Sequence, residues 1–413
     1  MTVSATPEAR SPAGHQIAGD PLTVFVVHPS HMLTDHLPHG DGLIAYNFLR
    51  ELAKRGHRLR IAVEHMSLLA PIPGDVTLYP MERRPRIPGA QRFAYMAHVR
   101  RTLRAVQARE RVDVAHQLNP VTVGLSLGML GSEVPLVLGP FEPTWPKNAG
   151  GTRLQRITGR MYDAARWPLG RLTLAMQQAP AAALLVSSPA ARVRIVRVSR
   201  QGARLQEFPF GIDAEAFTPS PSHTPPARPT LLFLANLERH KGIFTLLDAF
   251  DAVAERVPAA RLVIAGDGAA KGEVLARVEA LRARESVELV GRVPRARVAE
   301  VMRSASVYCL PSFGEPFGMT VLEAMACGLP VVVGASGGVA HLAPPEGRRL
   351  FTPGDVHGLA DALAEVLADP ALQHRMGATN RREIETRFAW SALGARLEQL
   401  YHEVIRGRKS PHP

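Results

Sequence analysis

Several things are scarce in this 413-residue chain, and each shortage excludes a class of answer. There are two cysteines, Cys309 and Cys327. They are too few for a disulfide framework, and their places inside a strand pattern and a helix pattern read as buried, inert thiols. No apolar run reaches the roughly 18 residues that a membrane-spanning helix requires. Residues 1–20 are polar and rich in Pro and Ala, without the apolar stretch of a secretory leader, so a disordered tail on a cytoplasmic protein is expected. No D-x-D string and no metal-ligating constellation occur, and no metal ligand is assigned. The G-x-x-x-x-G-K-[ST] loop is also missing, which argues against phosphoryl transfer from ATP.

Acidic residues are short in one half only. Residues 1–212 carry 26 Lys and Arg against 14 Asp and Glu, while residues 213–413 carry 23 of each, so the whole net charge of +12 sits in the first half. A basic half suits an anionic partner such as a membrane surface or an acidic acceptor, although an Arg-rich surface alone would give the same count. Gly89 to Glu110 places Phe93, Met96, Val99, Leu103 and Val106 at helical spacing, with Arg92, Arg100, Arg101, Arg104 and Arg109 largely elsewhere. This is a basic amphipathic helix, either a solvated face or a contact with anionic headgroups. A second basic helical zone is expected over Arg153 to Gln178.

What is abundant is a strand–helix–strand grammar, stated twice. Leu22 to His28 is a continuous apolar run of the kind buried on both faces of a parallel sheet. A loop with Gly40 and Gly42 follows, then a helix over Leu43 to Arg55 and a strand over Leu59 to Val63. Further strands are expected at Val112 to His116, Val134 to Leu138, Ala181 to Ser187 and Ala203 to Phe208. Pro209 to Thr230 is too rich in proline for a helix or a central strand, which places a boundary near residue 212. The grammar then restarts: strand Leu231 to Ala235, helix Ile243 to Val257, strand Arg261 to Ala265, strand Val287 to Val290. Helices at Val356 to Leu367, Ala371 to Thr386 and Trp390 to Ile405 close the chain.

The most informative stretch is YCLPSFGEPFGMTVLEAMACGLPVVVGASGG, Tyr308 to Gly338. It reads as a strand (Val307 to Leu310), a Pro/Gly loop with Glu315, a helix starting near Gly318, and a second strand (Leu329 to Val333). Helical periodicity would turn Glu323 back toward that loop. The backbone N–H groups of Phe317, Gly318 and Met319 would sit at a helix N-terminus, which favours an anion. Two carboxylates beside an anion site suit a ligand with hydroxyls and phosphate, such as a sugar nucleotide. The same pair also fits one solvated and one capping glutamate. Lys241, beside Arg239 and before Gly242, could clamp a diphosphate at the start of its helix. Gly334-Ala335-Ser336-Gly337-Gly338 matches a nucleophile elbow, but Pro344-Pro345 forbids the helix such an elbow needs, so a strand-end turn is expected.

The string P-S-x-x-E-P-F-G-M-T-x-L-E-A-M-A-x-G-x-P-V-V resembles the E-x7-E motif of the retaining glycosyltransferases of family 4. The match covers about thirty residues. That resemblance implies an α/β chain of the GT-B fold, two Rossmann-like doubly wound parallel-sheet domains facing a cleft. Residues 21–212 would bind the acceptor and 213–389 the nucleotide sugar, with 390–413 a helix crossing back to the first domain. The implied reaction transfers a sugar from a UDP-, GDP- or dTDP-sugar to a small-molecule or lipid-linked acceptor hydroxyl, with retention and without a metal or other cofactor. Peripheral contact with the inner face of an anionic membrane is compatible with it, and nucleic acid is not expected. A catalytically silent nucleotide-sugar-binding partner is the alternative.

The resemblance also distributes roles. Glu315 would contact the donor sugar and Glu323 the ribose hydroxyls. Lys241 would meet the diphosphate, aided by Arg239 because the family's Gly-Arg is Ala235-Asn236 here. The Gly40/Gly42 turn would admit donor phosphate, and Gly291-Arg292-Val293 would hold the base through its backbone. Thr320 belongs to the same helix start as Phe317 and Met319. His116, in Asp113-Val114-x-His116, would face the cleft, although the family's second histidine is Leu118 here and its usual glutamate is His341.

Overall fold

The computed structural model describes residues 20–28, 32–37, 40–82, 90–118, 125–141, 172, 175–195, 204–220 and 226–409. The expected tail and most of the Arg153–Gln178 zone lie outside the described residues. In chain order the first half supplies β1 (Thr23–His28), β2 (Leu33–Thr34), β3 (Arg58–Val63), β4 (Met66–Ser67) and β5 (Val76–Pro80). It continues with β6 (Val114–Gln117), β7 (Leu136–Phe141), β8 (Ala181–Val186) and β9 (Arg204–Glu207). Seven of them form one parallel sheet in the order β5-β3-β1-β6-β7-β8-β9, while β2 and β4 pair separately. The second half supplies β10 (Thr230–Leu234), β11 (Arg261–Ala265), β12 (Val287–Gly291), β13 (Val307–Leu310), β14 (Val331–Gly334) and β15 (Arg348–Phe351). These form a second parallel sheet, β12-β11-β10-β13-β14-β15.

The continuous apolar strands follow from two covered faces. In β1, Val24 and Val26 enter one core and Phe25 and Val27 the other, all fully buried. Both cysteines are buried, and burial pushes the Cys327 thiol up to about 12 and the Cys309 thiol higher still.

The chain passes from the first sheet at Ile212 and returns beside it: Ile212 bridges Ala389, and its N–H donates to the Phe388 carbonyl at 2.9 Å. The final helix, Trp390–Lys409, lies against the Gly40–Lys54 helix. Trp390 packs edge-on to Phe48 with centroids 4.8 Å apart. A Cβ on Gly394 would stand 2.5 Å from Glu51 Cγ, so a larger residue there would have to push the Glu51 side chain aside. Arg55 Nε and Nη2 both donate to Glu398 Oε2, at 2.9 and 2.5 Å, and both residues are buried. Removing one member of such a buried pair costs about 3–5 kcal/mol.

Some expectations are corrected. The first helix begins at Gly40, so Gly40 and Gly42 form its opening turn rather than a preceding loop. Phe93 is 73% exposed, because Tyr95 takes the buried place beside Val99, Leu103 and Val106. β5 and β15, which the sequence reading does not anticipate, are edge strands with few buried residues. The Lys271–Glu279 helix was likewise not anticipated, having only Val274 and Val278 buried.

Candidate functional site

At the carboxyl end of β13 the chain enters a loop held from two sides by glycines. Gly242 has φ 79°, and a Cβ there would lie 1.8 Å from the Pro311 carbonyl oxygen. Phe313 N–H donates to the His240 carbonyl at 2.9 Å. Lys241 is thereby carried next to the loop, where its ammonium forms an ion pair with Glu315 Oε2. On the other side Gly338 N–H donates to the Glu315 carbonyl at 2.8 Å, and Gly337, at φ 74°, would bring a Cβ to 2.3 Å from the same oxygen. The G-x-S-x-G string is accordingly a strand-end turn folded onto Glu315, with only a single turn, Val339–His341, after it. His341 is exposed.

Gly318, at φ 88°, ends the loop and opens the Met319–Ala326 helix. Amides of a first helical turn have no intrahelical acceptor, so Gly318 and Met319 carry such N–H groups at the positive end of the helix, with Phe317 the residue just before it. Phe317 itself is buried and meets Phe210 edge-on at 4.9 Å, which ties the loop to the crossover between the halves. Tyr308, buried in β13, donates its hydroxyl to Thr320 Oγ1 at 2.7 Å. Burial keeps the phenol far above its usual range, against the lowering pull of that hydrogen bond.

Glu323 is 3% exposed. Burial raises its carboxyl above the usual range, and the Arg295 guanidinium opposes that rise through an ion pair to Oε1. Arg295 lies over the Phe217 ring, 4.8 Å from its centroid. At the neighbouring strand ends, Gly266 N–H donates to the Gly291 carbonyl at 2.8 Å, with Arg292 exposed and Val293 half-buried just beyond. Asn236 is exposed after β10.

The structure therefore brings Lys241, Glu315, Phe317, Gly318, Met319, Thr320 and Glu323 onto one loop–helix turn. Arg239 does not join them. It pairs with Glu273 and stacks on Phe244 at 4.9 Å, on the exposed side of its turn. His116 is a second correction. Fully buried, its Nε2 lies 3.0 Å from the Gly139 carbonyl, which can only accept, so the proton is on Nε2. Nδ1 then accepts from the Tyr401 hydroxyl at 2.6 Å. With both nitrogens used and burial lowering its pKa to about 4, it is a neutral tie to the final helix rather than a cleft base. Sequence reasoning missed Arg295 and the glycine clamp. The Gly337-Gly338 pair was the available signal for the clamp, and nothing local marks Arg295. Among the described residues no group of three His, Cys, Asp or Glu could hold a metal ion.

Residues 217–383 match the family model described as glycosyl transferases group 1. The chain is 30% identical over 305 residues to the phosphatidyl-myo-inositol mannosyltransferase of Mycobacterium tuberculosis, covering 71% of this chain and 74% of that protein. It is 31% identical over 206 residues to the glycogen synthase of the same organism, covering 49% of each. The chain spans about half the length of the first curated relatives it matches. Among solved structures, HepE from Anabaena in complex with UDP superposes with a TM-score of 0.67 at 18% identity, over 92% of this chain and all of the other. At that identity the superposition speaks for the fold, and the fold is GT-B. Strand order, motif and relatives agree, and the chain belongs to the group 1 glycosyltransferases, the GT-B enzymes of family 4 type.

Proposed function

We propose that this protein is a retaining glycosyltransferase that moves a hexose-like group from a nucleoside diphosphate sugar to an acceptor hydroxyl without a metal ion. The observation that carries the reading is the Lys241–Glu315 pair at the mouth of β13, one helical turn from the buried Glu323. Without a ligand, cation and carboxylate neutralise each other. A donor would separate their tasks, Lys241 turning to the diphosphate and Glu315 accepting from sugar hydroxyls. Lys241 and the amides near Gly318 would meet the charge that grows on the departing diphosphate, which preorganised donors do without reorganisation. Glu315 would orient the sugar, a task in which small displacements cost rate. In the step itself the bond from anomeric carbon to phosphate oxygen breaks, and the acceptor oxygen bonds on the same face. Its proton passes to the leaving diphosphate, so no strong protein base is required.

The base contacts would be backbone groups at Gly291-Arg292-Val293, so donors with UDP, GDP or dTDP all remain within the proposal. A relative named for phosphatidyl-myo-inositol supports a lipid-linked acceptor. The exposed Phe93 beside Arg92, Arg100, Arg101 and Arg104 supports peripheral contact with an anionic membrane. No described helix is long and apolar enough to cross a membrane. Thermal-shift titration with UDP, GDP, dTDP and ADP and their sugars tests the donor site. One nucleotide series is expected to raise Tm, and Glu323→Ala to abolish the rise. No shift with any of them would overturn the assignment of both glutamates.

A further inference from the structure

The ribose carboxylate of the proposed donor site has a companion that no motif supplies. Glu323 is nearly sealed from water, and a bare carboxylate there would take up a proton at a higher pH than an exposed one. Arg295 reaches it from the single helical turn Arg295–Arg297 that follows β12, with its guanidinium laid over the Phe217 ring of the crossover. It bonds to Oε1 only. Among the described residues no hydrogen bond reaches Oε2. Around the same helix, burial keeps the Tyr308 phenol from β13 and the Cys327 thiol one turn on neutral, and the Arg381 guanidinium is taken up by the Phe217 and Ala326 carbonyls. Arg295 is thus the one cation described against this carboxylate.

We propose that Arg295 is a positioning residue for nucleotide recognition: it holds Glu323 ionised through Oε1 and leaves Oε2 to accept from the ribose hydroxyls of the donor. The inference rests on the proposed role of Glu323. A protonated carboxyl has one oxygen committed as a donor, so it accepts two hydroxyls poorly. The Phe217 ring holds the guanidinium in place, so the pair is assembled before the ligand arrives.

The test is calorimetric titration with UDP, GDP, ADP and dTDP between pH 4.5 and 9, on the full chain and on Arg295→Gln and Arg295→Lys. For the nucleotide that binds wild type, affinity should fall on the acid side as Glu323 protonates. In R295Q that acid limb should move up by about one to three pH units, the usual reach of an opposite charge on a carboxylate, with affinity recovering toward pH 9. R295K should return the limb to the wild-type position. An unmoved limb in R295Q, or one lowered equally at every pH in both variants, would overturn the proposal, since a simple contact or a packing role gives that result. The underlying reading fails differently: wild type then binds none of the four nucleotides at any pH, and the proposal falls with it.

Discussion

Two buried titratable side chains, one in each half, show how differently the same degree of burial can be used. His116, in the first sheet, spends both ring nitrogens on protein partners and is locked neutral. Glu323, in the second, spends one oxygen on a partly exposed arginine and keeps the other. Burial with every lone pair and proton satisfied makes a structural tie. Burial with an acceptor held back leaves an oxygen that a ligand can use, which is the basis for proposing Glu323 as a donor contact.

The comparison is broken first by removing charge from the second half. Lys241→Ala is expected to lower kcat/KM by about 10²- to 10³-fold, the usual cost of deleting one stabilising group at developing negative charge. Steady-state kinetics with the identified donor checks it, and a loss below tenfold would place the diphosphate elsewhere. In the first half the effect should fall on stability instead. Tyr401→Phe leaves Nδ1 of His116 buried without a partner, at a cost of about 1–3 kcal/mol. Urea unfolding should show this, with kcat/KM per folded molecule unchanged.

The pH response sharpens the same contrast. His116 titrates near 4 when folded and near 6.5 when unfolded, so the unfolded chain binds more protons in between. Its contribution is therefore whole above pH 6.5 and is lost as pH falls toward 4. His116→Gln should flatten Tm over that window relative to wild type, and an unchanged slope would mean that another group governs it. The smallest effect belongs to Arg239→Ala. Its pair with Glu273 is about half exposed on both sides, and such pairs are worth under about 1 kcal/mol. Donor KM should barely change, and a rise above tenfold would restore Arg239 as a phosphate contact.

Element by element, the legible parts of this chain were those whose information is local. The runs at β1, β10, β11 and β13 announced buried parallel strands because each is apolar on both faces. Gly318 marked a helix start, and the helix followed one residue later. The E-x7-E string was legible because Glu315 and Glu323 are joined by one short loop and one helix, so spacing alone sets their relation. Two of the edge strands, β5 and β15, were not legible. β15 is Arg-Arg-Leu-Phe, and its place depends on pairing with β14 rather than on its own composition.

The sequence by itself determined that there are two parallel-sheet halves and which turn carries the paired glutamates. Only the tertiary structure decided what each polar side chain faces. It turned His116 onto Tyr401, 285 residues away, and Arg239 onto Glu273. It brought Arg295 to Glu323 across 28 residues and two elements. The physical reason is range: propensity and periodicity act over a few residues, whereas desolvation and ion pairing depend on whatever the packing of distant segments sets alongside.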